Sequence, residues 1–230
     1  MRFSLELHDQ TLEARAELLT APIIQACLRG EVSPASYLAF LREAYHHVRH
    51  TVPLMRACKA ALPARHGWLQ GPLDEYIVEE QGHEEWILDD IRACGGDAEA
   101  PRSGRPGLAT EVMVAYAYDT IARGNPLGFF GMVHVLEGTS VSLALIAADR
   151  IQHQLGLPDA ALSYLRSHGT LDREHTAQFA ILMDRVADPR DHADIVHAAR
   201  AFYRLYGAVF RSLPLPLPLP VAAGVAVEPA

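Results

Sequence analysis

Hydrophobic residues recur every three or four positions along most of the chain, and long runs of strict alternation are absent. A repeat of three to four residues predicts amphipathic α-helices, whereas alternation would predict strands. Ser33-Pro34 is a typical helix start and Gly95-Gly96 a typical helix end. The predicted helical segments are 12–28, 34–48 with continuation to a kink at Pro53, 73–94, 108–122, 127–155, 159–187 and 190–212. The pattern therefore predicts an all-α bundle of seven or eight helices.

The C-terminal stretch 213–230 has a different composition and begins with alternating leucine and proline. Proline lacks a backbone N–H and fixes φ, so this run cannot be helical and favours an extended, polyproline-like form. A second non-helical segment, a polar loop, is predicted at 97–107. We therefore expect one helical bundle domain, 1–212, followed by a Leu/Pro-rich, poorly ordered tail, 213–230.

Composition limits the class of protein. The 230 residues carry a net charge of −8 with no cluster of Lys or Arg, which argues against nucleic acid or a membrane surface as a partner. The N-terminus lacks the apolar core of a signal peptide, and no window reaches the roughly 18 uninterrupted apolar residues that a membrane span needs. The three cysteines are widely spaced. These features predict a cytoplasmic protein with reduced thiols.

The stretch SHGTLDREHTAQF, residues 167–179, contains the first candidate chemistry. His168, Asp172 and His175 occupy positions i, i+4 and i+7, which lie within about 60° of one another on a helix. Two imidazoles and a carboxylate suit Fe, Mn or Zn. A solvated helix face is the alternative, and Gly169 predicts a weak point in the same helix.

Two further segments supply partners for this triad. Glu80 and His83 form a Glu-x-x-His motif in an acidic helix, and Glu137 lies in the most apolar helix of the chain. An ionised Glu in a buried helix is costly unless it is paired or binds a metal. Glu-x-x-His motifs and lone Glu residues on facing helices are typical of di-metal carboxylate bundles. Together with the triad, they are sufficient ligands for two iron ions.

A competing cluster has the same one-face spacing. Glu43, His47 and His50 lie at i, i+4 and i+7. They could complete the metal shell, bind a substrate carboxylate, hydrogen-bond to the ligands, or lie at the surface. We predict Glu43 as a residue of the catalytic site, and leave the two histidines open.

The ordered motifs resemble the haem-oxygenase-like di-iron oxidases, which share their fold with TenA thiaminases and PqqC. The resemblance spans about residues 10–210 and includes the separations between the motifs. It implies a helical bundle, often a homodimer, that binds two ferrous ions and uses dioxygen to oxidise a small, partly apolar, fatty-acid-like or amino-acid-like metabolite. Mn or Zn can replace the iron in a purified sample. The implied metal ligands are Glu80, His83, Glu137, His168, Asp172 and His175.

One departure from the family concerns the helix before the Glu-x-x-His motif. Some members carry another Glu one or two turns earlier, where this chain has Leu73 and Tyr76, although Glu75 and Glu79 are adjacent. Tyr76 lies seven residues before His83, so we expect both on one helix face. We predict Tyr76 as a catalytic-site residue, either a redox partner of the iron or a hydrogen-bonding wall.

Other activities of the same fold remain alternatives. A haem oxygenase requires an N-terminal axial His, for which His8 is the only candidate, and haem would not explain Glu137. A TenA-like thiaminase requires a nucleophilic Cys, and Cys94 lies at a helix end. A cofactorless PqqC-like oxidase would hold an acidic quinoid with His and Arg or Lys. A non-catalytic helical interaction module, binding through the tail, would have little reason to bury Glu137.

Overall fold

The structure is a computed structural model that describes residues 2–215, with the side chains of 170–174 excepted. The described residues form eleven α-helices and three short 3₁₀ turns, with no strand among them. The helices are α1 (Phe3–Leu19), α2 (Pro22–Leu28), α3 (Pro34–Val48), α4 (Thr51–Ala61), α5 (Gln70–Glu79), α6 (His83–Ala93), α7 (Glu99–Ser103), α8 (Leu108–Arg123), α9 (Phe129–Leu155), α10 (Ser163–Met183) and α11 (Pro189–Ser212). The all-α prediction is confirmed. Most of the predicted tail lies outside the described residues.

The predicted number of helices is too low because several predicted helices are broken. Pro22 occupies the first position of α2 and ends the helix before it, and α4 begins directly after His50, before Pro53. Gly82 takes a left-handed φ of 91° and separates α5 from α6. The predicted loop at 97–107 contains the short helix α7.

Helix α9 packs against both α10 and α11. A Cβ on Gly131 of α9 would lie 2.6 Å from the Ala199 backbone nitrogen of α11, so the missing side chain permits this crossing. Gly169 has the same effect between α10 and α9, where a Cβ would lie 2.7 Å from Leu145 Cγ. It lies within a continuous α10 and does not break it.

One helical segment, Pro126–Leu155, is the only one among the described residues that is long and apolar enough to cross a membrane, with a mean hydropathy of 1.6. It comprises α9 and the turn before it. Its packing against α8, α10 and α11 is that of a core helix.

Asp90 joins two of the helices that carry candidate ligands. Its fully buried carboxylate, on α6, accepts hydrogen bonds from the backbone N–H groups of Ser163 and Tyr164, each at 3.0 Å, and from the Ser163 hydroxyl. Burial raises the pKa of Asp90 more than these hydrogen bonds lower it. The first turn of an α-helix has unsatisfied N–H donors, so Asp90 caps α10 from a neighbouring helix. The cap fixes α10 against α6.

Candidate metal centre

The Glu-x-x-His motif spans the joint between α5 and α6. Glu80 follows the last residue of α5, and His83 is the first residue of α6. The turn at Gly82 brings Glu80 Oε2 to 2.9 Å from His83 Nδ1, and both side chains are buried. His83 Nδ1 nevertheless has no hydrogen bond of good geometry to any described residue. Two buried polar atoms that lie close together without a good hydrogen bond are expected where both face one cation.

Helix α10 adds His168 to this pair. Glu80, His83 and His168 each offer a ligand atom, and the three atoms lie within 4.8 Å of one another. His168 Nδ1 lies 3.0 Å from the Tyr164 carbonyl oxygen, which can only accept a hydrogen bond, so Nε2 is left as the ligand atom. Burial is the main cause that lowers the pKa of His168 to about 4. The neutral ring is the form that binds metals.

Glu80 is ionised in this arrangement. Burial is the largest influence and raises its pKa, but the contact with His83 and the nearby His168 and His175 outweigh it, and the pKa of Glu80 is lowered. Three imidazoles therefore surround one buried carboxylate. This donor set matches iron, manganese or zinc, so the residues present fit a metal ion.

His175 also reaches the centre and is 6% exposed. Its Nδ1 lies 3.8 Å from Glu80 Oε1, and its Nε2 lies 3.1 Å from Glu79 Oε2. The sequence pattern did not single out Glu79, because it is one of eight acidic residues spread over residues 74–90. Asp172, the third member of the predicted triad, has its side chain outside the described residues, so its ligand role stays a prediction.

Glu137 and Tyr76 lie at the same centre. Glu137 lines a cavity together with Glu80 and His168. The Tyr76 hydroxyl donates a hydrogen bond to the His175 carbonyl oxygen at 3.2 Å, and Glu137 is close enough to influence its pKa. Burial, and then the charge of Glu137, hold the pKa of Tyr76 far above its ordinary value. The shared helix expected for Tyr76 and His83 was wrong, because α5 ends between them, yet Tyr76 contacts the site as a protonated phenol.

Glu43 lies away from this centre. Its carboxylate accepts hydrogen bonds from the Gly107 backbone N–H at 3.0 Å and from the Thr110 hydroxyl, at the start of α8. We therefore correct its assignment to the catalytic site, because the structure makes it a helix cap. His50 lies beyond the end of α3. Only His47 of this cluster lines the cavity, and burial lowers its pKa to about 3, so it is neutral.

Trp86 is a further neighbour of the centre that sequence reasoning missed. Its ring stacks on His83 with centroids 4.0 Å apart, and it meets His168 edge-on at 6.0 Å. The sequence did offer a signal: Trp86 lies three residues after the candidate ligand His83, and residues at i and i+3 are neighbours on a helix. Trp86 limits the directions in which both rings can turn.

The cavity beside the centre has a volume of about 180 Å³. Apart from Glu80, Glu137, His47 and His168, its lining is mainly hydrophobic. The lining includes Phe40, Phe129, Met132, Leu136 and Leu143. No Lys or Arg lines it within the described part of the chain. The cavity therefore has a polar end, where the candidate ligands converge, and an apolar remainder.

Solved structures show the fold of this chain. A domain of unknown function with a heme oxygenase-like fold from Shewanella denitrificans is 24% identical, with 88% of each chain covered and a TM-score of 0.78. A TenA homolog from Pseudomonas syringae pv. tomato is 12% identical, with 90% of each chain covered and a TM-score of 0.77. Heme oxygenase-1 from the cyanobacterium Synechocystis, solved with heme, is 14% identical, with 91% of each chain covered and a TM-score of 0.71. The chain therefore has the heme oxygenase-like fold.

Sequence comparison places the chain more narrowly. No curated protein is significantly similar to it. A family model described as iron-containing redox enzyme matches residues 38–207, which include every described ligand candidate. Because this match covers well over half of the chain, the protein belongs to the family of iron-containing redox enzymes.

Proposed function

We propose that the protein is a non-haem di-iron oxygenase or oxidase that uses dioxygen to oxidise a small, partly apolar metabolite. The observation that carries this proposal is the convergence of Glu80, His83 and His168 within 4.8 Å, next to an apolar cavity. Bound ferrous ions would supply the reduction of dioxygen. The residues proposed to hold them are Glu80, His83, Glu137, His168, Asp172 and His175.

The donor set favours non-haem iron over haem. Haem iron takes one or two axial ligands such as His, Cys, Met or Tyr, whereas carboxylates with imidazoles are typical of di-iron bundles. His8, the early histidine that a haem oxygenase would need, is exposed on α1 and does not line the cavity. Glu80 and Glu137, which haem would leave unexplained, both line it.

The cavity supports a substrate with a single polar end. Its apolar walls exclude water from the reacting groups. A charged group buried away from the metal would meet no Lys or Arg in the described lining, and an unpaired buried charge is costly. A zwitterionic amino acid brings an ammonium group as well as a carboxylate, whereas a fatty acid brings one charged group only. Of the two predicted substrate classes, the fatty-acid-like class is therefore the better match, with its polar end at the metal centre.

The alternatives within the fold are less well supported. Cys27, not Cys94, is the cysteine that lines the cavity. Burial raises the pKa of Cys27 to about 11, against a smaller lowering by Arg150, so its thiol stays protonated and is a weak nucleophile for TenA-like chemistry. A PqqC-like oxidase would need cationic side chains for its acidic quinoid, and the described lining offers none.

Anaerobic reconstitution with ferrous iron, followed by metal counting and measurement of oxygen uptake, tests the proposal. We expect about two irons per chain and iron-dependent oxygen uptake that rises with a medium-chain aliphatic acid. His168→Ala should lose at least one iron while the circular dichroism stays helical. His153→Ala, an exposed histidine on α9, is the matched control. Unchanged iron content in His168→Ala, or no iron in the parent protein, would refute the proposal.

A further inference from the structure

We propose that Glu79 is a positioning residue that sets the orientation of His175 at the metal centre. The inference rests on the proposed di-iron function and adds a residue outside its ligand set. Neither the motifs nor the resemblance assigned a role to Glu79.

Two consecutive carboxylates flank one imidazole ring. Glu79 is the last residue of α5 and Glu80 the next residue. Glu79 Oε2 lies 3.1 Å from His175 Nε2, whereas Glu80 Oε1 lies 3.8 Å from His175 Nδ1. The Glu79 side chain is 45% exposed and the Glu80 side chain 10% exposed. Nδ1 therefore faces the buried cluster of ligand atoms, and Nε2 faces outward.

This geometry matches a recurrent feature of metal sites. A histidine ligand commonly donates its other N–H to a carboxylate or a carbonyl oxygen, which fixes the tautomer and makes the ring a better ligand. For His168 the acceptor is the Tyr164 carbonyl oxygen, on Nδ1. For His175 the matching group is the Glu79 carboxylate, whose Oε2 lies 3.1 Å from Nε2. If both histidines hold metal as proposed, His168 would offer Nε2 and His175 would offer Nδ1.

Because Glu79 is half-exposed, an effect on His175 can be distinguished from an effect on folding stability. Pairs with a half-exposed carboxylate contribute little to folding stability, because water screens the charge. Removing Glu79 should therefore leave stability nearly unchanged. It should instead free the His175 ring to turn, which weakens metal binding.

The test compares Glu79→Ala and Glu79→Gln with Glu75→Ala in the full-length protein. Glu75 is exposed one turn earlier on α5, so its removal makes the same change in charge. Anaerobic ferrous titrations against a chelator give the affinities, and cobalt(II) absorption reports ligand geometry. We expect Glu79→Ala to bind one metal about 10–100-fold more weakly, with an altered cobalt spectrum. Glu79→Gln, which keeps an acceptor oxygen, should lose less, and Glu75→Ala should match the parent.

Equal affinities and spectra for Glu79→Ala and Glu75→Ala would overturn the inference. If the parent binds two irons and only the effect of Glu79→Ala is missing, the inference fails and the di-iron function stands. A parent that binds no iron overturns both.

Discussion

Removal of the Asp90 carboxylate should loosen the contact between α6 and α10. In Asp90→Ala, the backbone N–H groups of Ser163 and Tyr164 lose their acceptor, and so does the Ser163 hydroxyl. Loss of a helix N-cap costs about 0.5–2 kcal/mol, and a buried donor left without an acceptor costs about 1–3 kcal/mol. The desolvation that raises the pKa of Asp90 offsets part of this gain. We expect a net loss of roughly 3 kcal/mol in the free energy of unfolding.

Urea unfolding followed by circular dichroism measures this loss. The matched control is Asp89→Ala, which removes an exposed carboxylate from the adjacent position and breaks only a surface pair with Arg92. That pair should contribute less than about 1 kcal/mol. Because α10 carries His168 and His175, Asp90→Ala should also weaken iron binding. Equal free energies of unfolding for the two variants would refute the structural role of Asp90.

Three further predictions address packing, pH and the corrected residue. Gly131→Ala should destabilise the protein by about 1–3 kcal/mol, because its Cβ would lie 2.6 Å from the backbone of α11. Gly138→Ala should stabilise it by about 0.5–1 kcal/mol, because no atom lies within 4 Å of the added Cβ. Equal melting temperatures for the two variants would contradict this. Burial lowers the pKa of His134 to about 4, below its ordinary value near 6.5, so the folded state binds a proton less readily. The unfolded state therefore gains protons first, and the free energy of unfolding falls by at most about 3 kcal/mol as the pH drops from 6.5 towards 4. His134→Gln should flatten that part of a plot of stability against pH. Glu43→Gln should lower the melting temperature by a few degrees but leave iron content unchanged; a loss of iron would return Glu43 to the metal site.

The helical class and most helices were predictable, because hydrophobic periodicity survives in a bundle whose helices each bury one face. The breaks between helices were less predictable. A single glycine such as Gly82 is tolerated inside many helices, so the sequence alone does not show that it takes a left-handed conformation here. The close contacts at Gly131 and Gly169 depend on which helix crosses at that point. The spacing of residues along the sequence does not show which helix crosses there.

The candidate metal centre was likewise predictable in part. Glu80, His83 and His168 were predicted together from their motifs and do converge. The reason was incomplete, because Glu80 and His83 lie on either side of the joint between α5 and α6 and not on one helix face. Glu43 had equally good spacing, but spacing does not say which neighbour a face will meet, and its neighbour is the start of α8. Asp90 was unrecognisable among nearby acidic residues, because only burial distinguishes it.

The glycine joint between α5 and α6 lies between two of the proposed ligands. Glu80 and His83 belong to different sides of this joint, so their separation depends on the angle between two helices. When iron binds both residues as proposed, it also closes the chain across Gln81 and Gly82. Metal binding and ordering of the joint are then a single linked equilibrium. Amide hydrogen exchange at Gln81 and Gly82 should accordingly slow as iron is supplied. The exchange rate would then measure how much of the protein has metal bound.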